Sequence, residues 1–439
     1  AAVFLIVTAS RGGAELAQGG PSGDALLFRY SGPSVGRPSG VLGDGETGFI
    51  AALQRAVNLV LLACAPPGAD PMDPVEVDGR LGRHTRDAIA RAAACPPIAA
   101  RLPEDSGARR GEITRALWDL LVPGQPPPDA RQRGRALLLA FEGTDFTDRA
   151  EWNFCQNNRQ IYDPTADDPT CYTGDPRSYL TWGPNGATAG HGHEILAILA
   201  RIDRLDPALL DAAFGDEVAA VRRMAHLRIP RGEDGELRRY LCGIYVDLPR
   251  RRAWSAGFAA LGARPEVRAI YRALYDSASF DGGKIVTFLN AWRDAGLAPT
   301  EIDFAFFTDR SVHTRVRNLE VRRLLRQVLA AGASSPAEIR RGYARLARVT
   351  NISQRGPRLG RDVAFYVDAL GPSLTREERR HWVRQGARRA FAAGLSDARP
   401  APDFTAGPRD DWQATGQQPL TAEERALCPA PVLNPRPPR

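Results

Sequence analysis

Lysine is nearly missing from this chain of 439 residues: Lys284 is the only one, so 57 of the 58 basic residues are arginine. The skew, shared with many Ala, Gly and Pro, reads as the codon bias of a GC-rich genome. A net charge of +7 invites a nucleic-acid partner. No Lys/Arg block is interleaved with aromatics as a nucleic-acid groove requires, so the sequence argues against that partner. No stretch approaches the roughly 20 apolar residues that cross a bilayer, which excludes a stable membrane span. The six cysteines form no C-x-x-C pair, which argues against a zinc knuckle or a thioredoxin-like site. There is no phosphate-binding loop, no dinucleotide fingerprint after a strand and no G-x-S-x-G elbow, so no cofactor is expected. The N-I-S triplet at Asn351 fits a glycosylation acceptor but is read as incidental.

What is present describes a globular protein. Hydrophobic residues make up 43% and charged residues 25%, enough for a real core, and the length calls for two or three domains. The first eight residues are apolar and lead into a small-residue stretch up to Ala17. That pattern reads as the tail of a secretory signal peptide, with a buried first strand as the alternative. Export suits an even number of cysteines. Cys155 and Cys171 flank an Asp/Pro-rich loop that a disulfide would staple. Cys64 and Cys95 fall within one N-terminal unit, and Cys242 with Cys428 is the remaining pair. Six free thiols in a reducing compartment are the alternative. The expectation is a periplasmic or secreted monomer whose basic surface is drawn to an anionic polymer such as cell wall.

Composition divides the chain into a low-complexity leader (1–45), a compact helical unit (46–121), a Pro-rich linker (122–130), a mostly helical region (131–350) and an extension with a Pro-rich tail (351–439). The fold class expected is mainly α. Phe49, Leu53, Val57 and Leu61 recur at helical spacing, with Ile50 and Val60 beside them. Further helices are expected at 193–205, 207–227, 265–279, 283–296, 315–332 and 375–395.

The residues L-Q-R-A-V-N, followed by D-G-R-L-G-R-H-T-R-D-A-I, resemble the peptidoglycan-binding module of cell-wall enzymes. Gln54, Asp78, Gly79, Gly82, Thr85 and Ile89 match its motif, and Val57 replaces the usual Leu. The resemblance covers roughly 75 residues and implies a small helical domain that binds the wall as an anchor separate from the chemistry.

A second constellation concerns catalysis. The apolar run "ALLLAFEG" reads as a helix ending at Glu142, before a glycine able to stop it. A carboxyl group there is partly desolvated, which raises its pKa, as a general acid requires. Downstream, "TAGHGHEI", Thr188 to Ile195, is similar to the T-I-G-x-G-H hairpin of phage-type lysozymes, where an E-G element also closes the first helix. The resemblance implies a lysozyme-like α+β domain with a β-hairpin lobe, Glu142 as catalytic acid and Thr188 as hairpin threonine. The family's aspartate is missing. Thr181, Trp182 and Asn185 stand in its region, and Thr181 joins Glu142 and Thr188 in the catalytic set.

The second carboxylate is open among Asp145, Asp148, Glu151, Asp163, Asp175 and Glu194. Trp152, Tyr179, Trp182, Asn185, His191 and Glu194 are the candidate substrate contacts, with part of the aromatic set alternatively forming core. His191 and His193 alternate like an H-x-H zinc pair, but no third ligand completes a set, so no metal is expected. The function expected is an exported muramidase cutting β-1,4 links of peptidoglycan. The alternatives are a chitosanase or chitinase of the same fold, a zinc-dependent wall peptidase, and a degenerate wall-binding protein.

Overall fold

The computed structural model describes residues 24–30, 42–43, 48–64, 74–142, 145–156, 159–160, 178–190, 192–229, 235–313, 318–346, 391–409, 412 and 417–427. The N-terminal unit runs β1 (Leu26–Tyr30), β2 (Leu42–Gly43), α1 (Phe49–Ala63), β3 (Arg80–Leu81), α2 (Arg83–Ala94), α3 (Pro96–Ala99), β4 (Ile113–Thr114) and α4 (Arg115–Leu121). The spacing in α1 does what the sequence implies: Ile50, Leu53, Val57 and Leu61 are buried along one stripe. A disulfide joins Cys64 to Cys95, with Cα atoms 6.0 Å apart, and so ties the ends of α1 and α2 together.

The motif residues of this unit meet in one buried network. Gln54, fully buried, donates from Nε2 to Asp78 Oδ1 (2.8 Å), Arg80 O (3.1 Å) and Thr85 Oγ1 (3.1 Å). Its Oε1 accepts from the amide of Gly79 (2.9 Å), a residue at φ +70°, where a side chain would be strained. Asn58 clamps the connecting loop, exchanging two 2.8 Å bonds with the backbone of Val75. The motif is therefore a fold-forming device: it satisfies the polar groups of a turn that the helix pair encloses.

β1 falls within the stretch expected as leader. It pairs antiparallel with β4, and Phe28 is fully buried. On its other side Arg29 and Tyr30 pair with Ala392 and Phe391 of β10 (Phe391–Ala392), a strand near the far end of the chain. The helix expected over 375–395 therefore does not include Phe391 and Ala392, whose backbone is used by the ladder.

The second part begins with α5 (Ala130–Glu142), β5 (Glu151–Trp152), β6 (Cys155–Gln156), β7 (Arg159–Gln160), β8 (Ser178–Trp182) and β9 (Ala187–Gly190). Among the described residues ten α-helices follow up to Leu346, α6 (Glu194–Leu205), α7 (Ala208–Phe214), α8 (Val218–Ala225), α9 (Gly235–Val246), α10 (Leu248–Gly262), α11 (Pro265–Asp276), α12 (Asp281–Asp294), α13 (Glu301–His313), α14 (Asn318–Ala330) and α15 (Pro336–Leu346), and a short helix, Ala422–Ala426, lies near the end. The molecule is thus mainly helical with small sheets. The span 207–227 is two helices rather than one, because Gly215 at φ +51° turns the chain between α7 and α8. Among the described residues no helix is long and apolar enough to cross a membrane.

Two apolar clusters hold these elements. One joins Phe28, Leu53, Ile89 and Trp118 of the N-terminal unit to Leu137 of α5, Phe288 and Trp292 of α12, Phe304 and Phe307 of α13 and Tyr343 of α15. It does not stop at the 122–130 linker, so the unit shares a core with the helices after it instead of riding on a spacer. The linker itself is bonded at both ends: Trp118 Nε1 donates to Gln125 O (2.9 Å), and Arg133 Nη1 to Pro128 O (2.8 Å). The second cluster packs the sheet of β5, β8 and β9 on α6 to α11.

The leader up to residue 23 lies outside the described residues, as do Cys171 and Cys428. Cys242 is disulfide-bonded. Leu427, the neighbour of Cys428, sits where a Cβ on Gly243 would come within 2.9 Å of it.

Two expectations follow. Gln54→Ala leaves Asp78, the Gly79 amide and Thr85 without their shared partner, and lowers unfolding free energy by roughly 2–4 kcal/mol in denaturant titration. A fragment starting at residue 131 loses the N-terminal members of the shared cluster, among them Phe28, Leu53 and Trp118, binds a hydrophobic dye and lacks a sharp melting transition. A fragment melting as sharply as the full chain would contradict the shared core.

Candidate active site

The site grows out of strand alternation. Directly paired residues share a face of a sheet, and neighbours along a strand point to opposite faces. Across β5, β8 and β9 the register sets Glu151 opposite Thr181 and Thr181 opposite Thr188. The adjacent row sets Trp152 opposite Leu180 and Leu180 opposite Ala189. The second row is buried, whereas Glu151, Thr181 and Thr188 are half-buried. The hairpin therefore presents a carboxylate and two hydroxyls in line on its polar face.

Glu194, the first residue of α6, closes this row. Its Oε2 accepts from the Thr188 amide (3.2 Å) and from Thr188 Oγ1 (2.9 Å). Gly192 makes the approach possible, since a Cβ there would collide with both Glu194 Oε2 and Thr188 Oγ1. Asn153 anchors the other threonine: its Nδ2 donates to Thr181 Oγ1 (3.1 Å) and to the Ser178 carbonyl. Burial, reinforced by the nearby Asp148 carboxylate, pushes the Glu151 carboxyl up from its ordinary range.

The turn Gly183–Gly186 is held from below by Tyr271 of α11, which is fully buried. Its hydroxyl accepts from the amides of Asn185 (3.1 Å) and Ala187 (3.4 Å) and donates to Trp182 O (3.3 Å). Gly183 and Gly186 take φ of +78° and +64°, and the Tyr271 ring lies against Gly183.

Three of the aromatics expected to contact substrate have another role. Trp152, Trp182 and Tyr179 are 0%, 2% and 5% exposed, so as packed none offers a ring face to a sugar. Trp152 Nε1 donates to Ser255 Oγ (3.0 Å) and Trp182 Nε1 to Phe146 O (3.2 Å), while Tyr179 stacks with Phe154. For Trp152 and Trp182 the reason is the two-residue period, since Trp182 cannot face the cleft if Thr181 does; Tyr179, two residues from Thr181, is buried instead by its stack on Phe154. Asn185 sits at the half-buried turn.

Glu142 is the last residue of α5, as the sequence implies, and its side chain lies outside the described residues with Gly143. Four residues on, Phe146 is fixed under the hairpin by Trp182, so the helix end lies at most about 14 Å from that point. His191, Asp163 and Asp175 lie outside the described residues, and His193 precedes α6 as its N-cap. Among the described residues no cluster of three or more His, Cys, Asp or Glu could hold a metal.

Sequence reading passed over Asn153 as an anchor and Tyr271 altogether, and left Glu151 as one carboxylate among six. The polar Thr181 set between Leu180 and Trp182 was the available signal for the polar row that Glu151 joins.

The raised pKa of Glu151 has a sign. The native state binds this proton more tightly than the unfolded chain, so the group favours folding below the unfolded value of about 4.3 and penalises it as pH rises through the folded value. Glu151→Gln is accordingly expected to melt higher than the parent at pH 7, with the gain vanishing below about pH 4. Calorimetry across that window checks it, and a lower melting temperature at pH 7 contradicts it.

Comparison with known proteins adds no relative: no family model matches the chain, and no curated protein or solved structure matches it at a significant level.

Proposed function

We propose that this protein is a lysozyme-like glycoside hydrolase acting on peptidoglycan, with Glu142 as general acid. The observation that carries the reading is the polar row Glu151–Thr181–Thr188, closed by Glu194, with Glu142 at the end of α5 supplied as the acid by the resemblance. Glycoside hydrolysis needs one carboxyl group to protonate the leaving oxygen and a second to activate water or stabilise the sugar cation. Glu194 suits the second role. Thr188 donates to it twice, which orients an acceptor carboxylate beside a hydroxyl able to position water.

Glu151 takes no proton-transfer step in this scheme. Its half-buried carboxyl sits beside the row and tunes the field there. The N-terminal unit adds a cleft of ≈ 600 Å³ along Tyr30, Asp78, Arg80, His84 and Thr85, beside motif residues of the wall-module resemblance. Because that unit shares a core with the catalytic helices, it would hold substrate at a fixed distance rather than on a flexible tether.

One observation favours a second substrate. Asp148 is close enough to Glu151 to disfavour its ionisation, and its carboxylate accepts from the Asp145 amide (2.7 Å). An acidic rim suits a cationic amino-sugar polymer such as chitosan.

Glu142→Gln and Glu194→Gln should each lower the release of reducing ends from purified sacculi by about 10²–10⁴-fold while leaving the melting temperature within a few degrees. Running chitosan beside sacculi separates the two polymers. Near-parental turnover by Glu142→Gln removes the assignment, and release of peptides without reducing ends points to a peptidase.

A further inference from the structure

The two threonines of the polar row, both half-buried, differ in what they still offer a ligand. Thr188 Oγ1 spends its proton on Glu194 Oε2 (2.9 Å) and keeps only lone pairs. Thr181 Oγ1 instead accepts from Asn153 Nδ2 (3.1 Å). The orientation of that side-chain amide is set by its second contact, because the Ser178 carbonyl can only accept. Among the described residues Thr181 Oγ1 joins no other hydrogen bond, so its own proton remains to be donated.

The two oxygens also point apart. Asn153, which holds the Thr181 oxygen, follows β5, on one side of β8. The Thr181 methyl group takes the side of the turn, 3.9 Å from where a Cβ on Gly186 would stand. β9 is the edge strand on the other side of β8, and an amide there that bonds a side chain points to the free edge. Glu194 therefore lies off that edge, where it takes both the amide and the hydroxyl of Thr188. Directly paired residues hold their Cβ atoms about 4.5–5.5 Å apart, and oxygens that diverge stand farther apart still. One hydroxyl oxygen bonding both at about 2.8 Å spans only roughly 4.5 Å at a tetrahedral angle. An amide, whose oxygen and nitrogen flank the carbonyl carbon, spans roughly 6–7 Å.

We propose that the Thr181–Thr188 pair binds a secondary amide of the substrate, whose carbonyl oxygen accepts from Thr181 and whose N–H donates to Thr188. An ammonium brings donors only and a carboxylate acceptors only, so each would serve one threonine and leave the other. The acetamido group of an amino sugar and the peptide bond of a wall stem are the two sources of this chemistry. The assignment rests on the hydrolase reading for the polymer, while the amide contact itself is tested by binding, without cleavage.

The test is calorimetric titration of the full chain carrying Glu142→Gln, so that no bond is cut. The probes are the β-1,4 tetramer of N-acetylglucosamine, the glucose tetramer with hydroxyls in place of the acetamido groups, the glucosamine tetramer, and N-acetyl-trialanine amide. At least one amide probe is expected to bind about tenfold tighter than the glucose tetramer, the worth of one added hydrogen bond. Thr181→Val keeps the β-branched shape of a strand residue and should remove that margin, whereas Thr181→Ser should retain it. Tighter binding of the N-acetylated tetramer than of the peptide assigns the acetamido source, and the reverse order assigns the peptide bond. No advantage of either amide probe over the glucose tetramer, tightest binding by the glucosamine tetramer, or an unchanged Kd in Thr181→Val overturns the site. Release of reducing ends by the parent without an amide preference sinks this inference alone. An amide preference without such release supports it and removes only the hydrolase.

Discussion

The two-residue period of a strand is the constraint on which the candidate site rests. Burying Trp152, Leu180 and Trp182 against α6, α10 and α11 leaves Glu151, Thr181 and Thr188 no choice but the opposite face. The core side is dense with rings. Trp182 packs against Phe258 and edge-on against Tyr271, and Trp152 packs against Tyr245 and Trp254. A one-residue slip would carry these rings into water and the threonines into the core, so packing on one face secures register on the other. The polar row is as precise as the aromatic layer beneath it.

The C-terminal segment gives the molecule its second constraint. After α15 the described chain resumes at β10, which completes the N-terminal sheet, and continues along α13. There Glu301 binds Arg399 (2.7 Å), and Arg340, fully buried, binds Asp303 (2.6 Å) and Asp397. Breaking one partner of such a buried pair leaves an uncompensated charge, typically at a cost of about 3–5 kcal/mol. Further on, Arg223 of α8 holds Glu424 (2.7 Å), and Gln418 bonds the backbone on both sides of Leu227. One segment of chain thus touches the sheet of the first unit and both apolar clusters, and it lines a cavity at the end of α6 on the way.

The motif that resembles a wall-binding module acquires a physical meaning independent of any ligand. Buried Gln54 satisfies the Gly79 amide, the Asp78 carboxylate and the Thr85 hydroxyl at once, which ties that spacing to the turn. Such a network specifies the helix–turn–helix packing. The cleft beside it borrows Asp78 and Thr85 as wall, so stability and any recognition there draw on the same side chains.

What the sequence by itself determined was local. Helical spacing located α1, α6, α11, α12 and α14, Glu142-Gly143 marked the end of α5, and the glycine-rich run before Glu194 marked a hairpin followed by a helix. These are properties of a few consecutive residues and their periodicity. Tertiary structure alone decided three things: that Trp152 and Trp182 are core, that the N-terminal unit shares its core with α12 to α15, and that Tyr271 braces the turn from 84 residues beyond Ala187. The physical reason is that burial and long-range hydrogen bonding depend on which surfaces meet. A tryptophan is equally suited to a sugar face or a hydrophobic core until the neighbouring helices are in place.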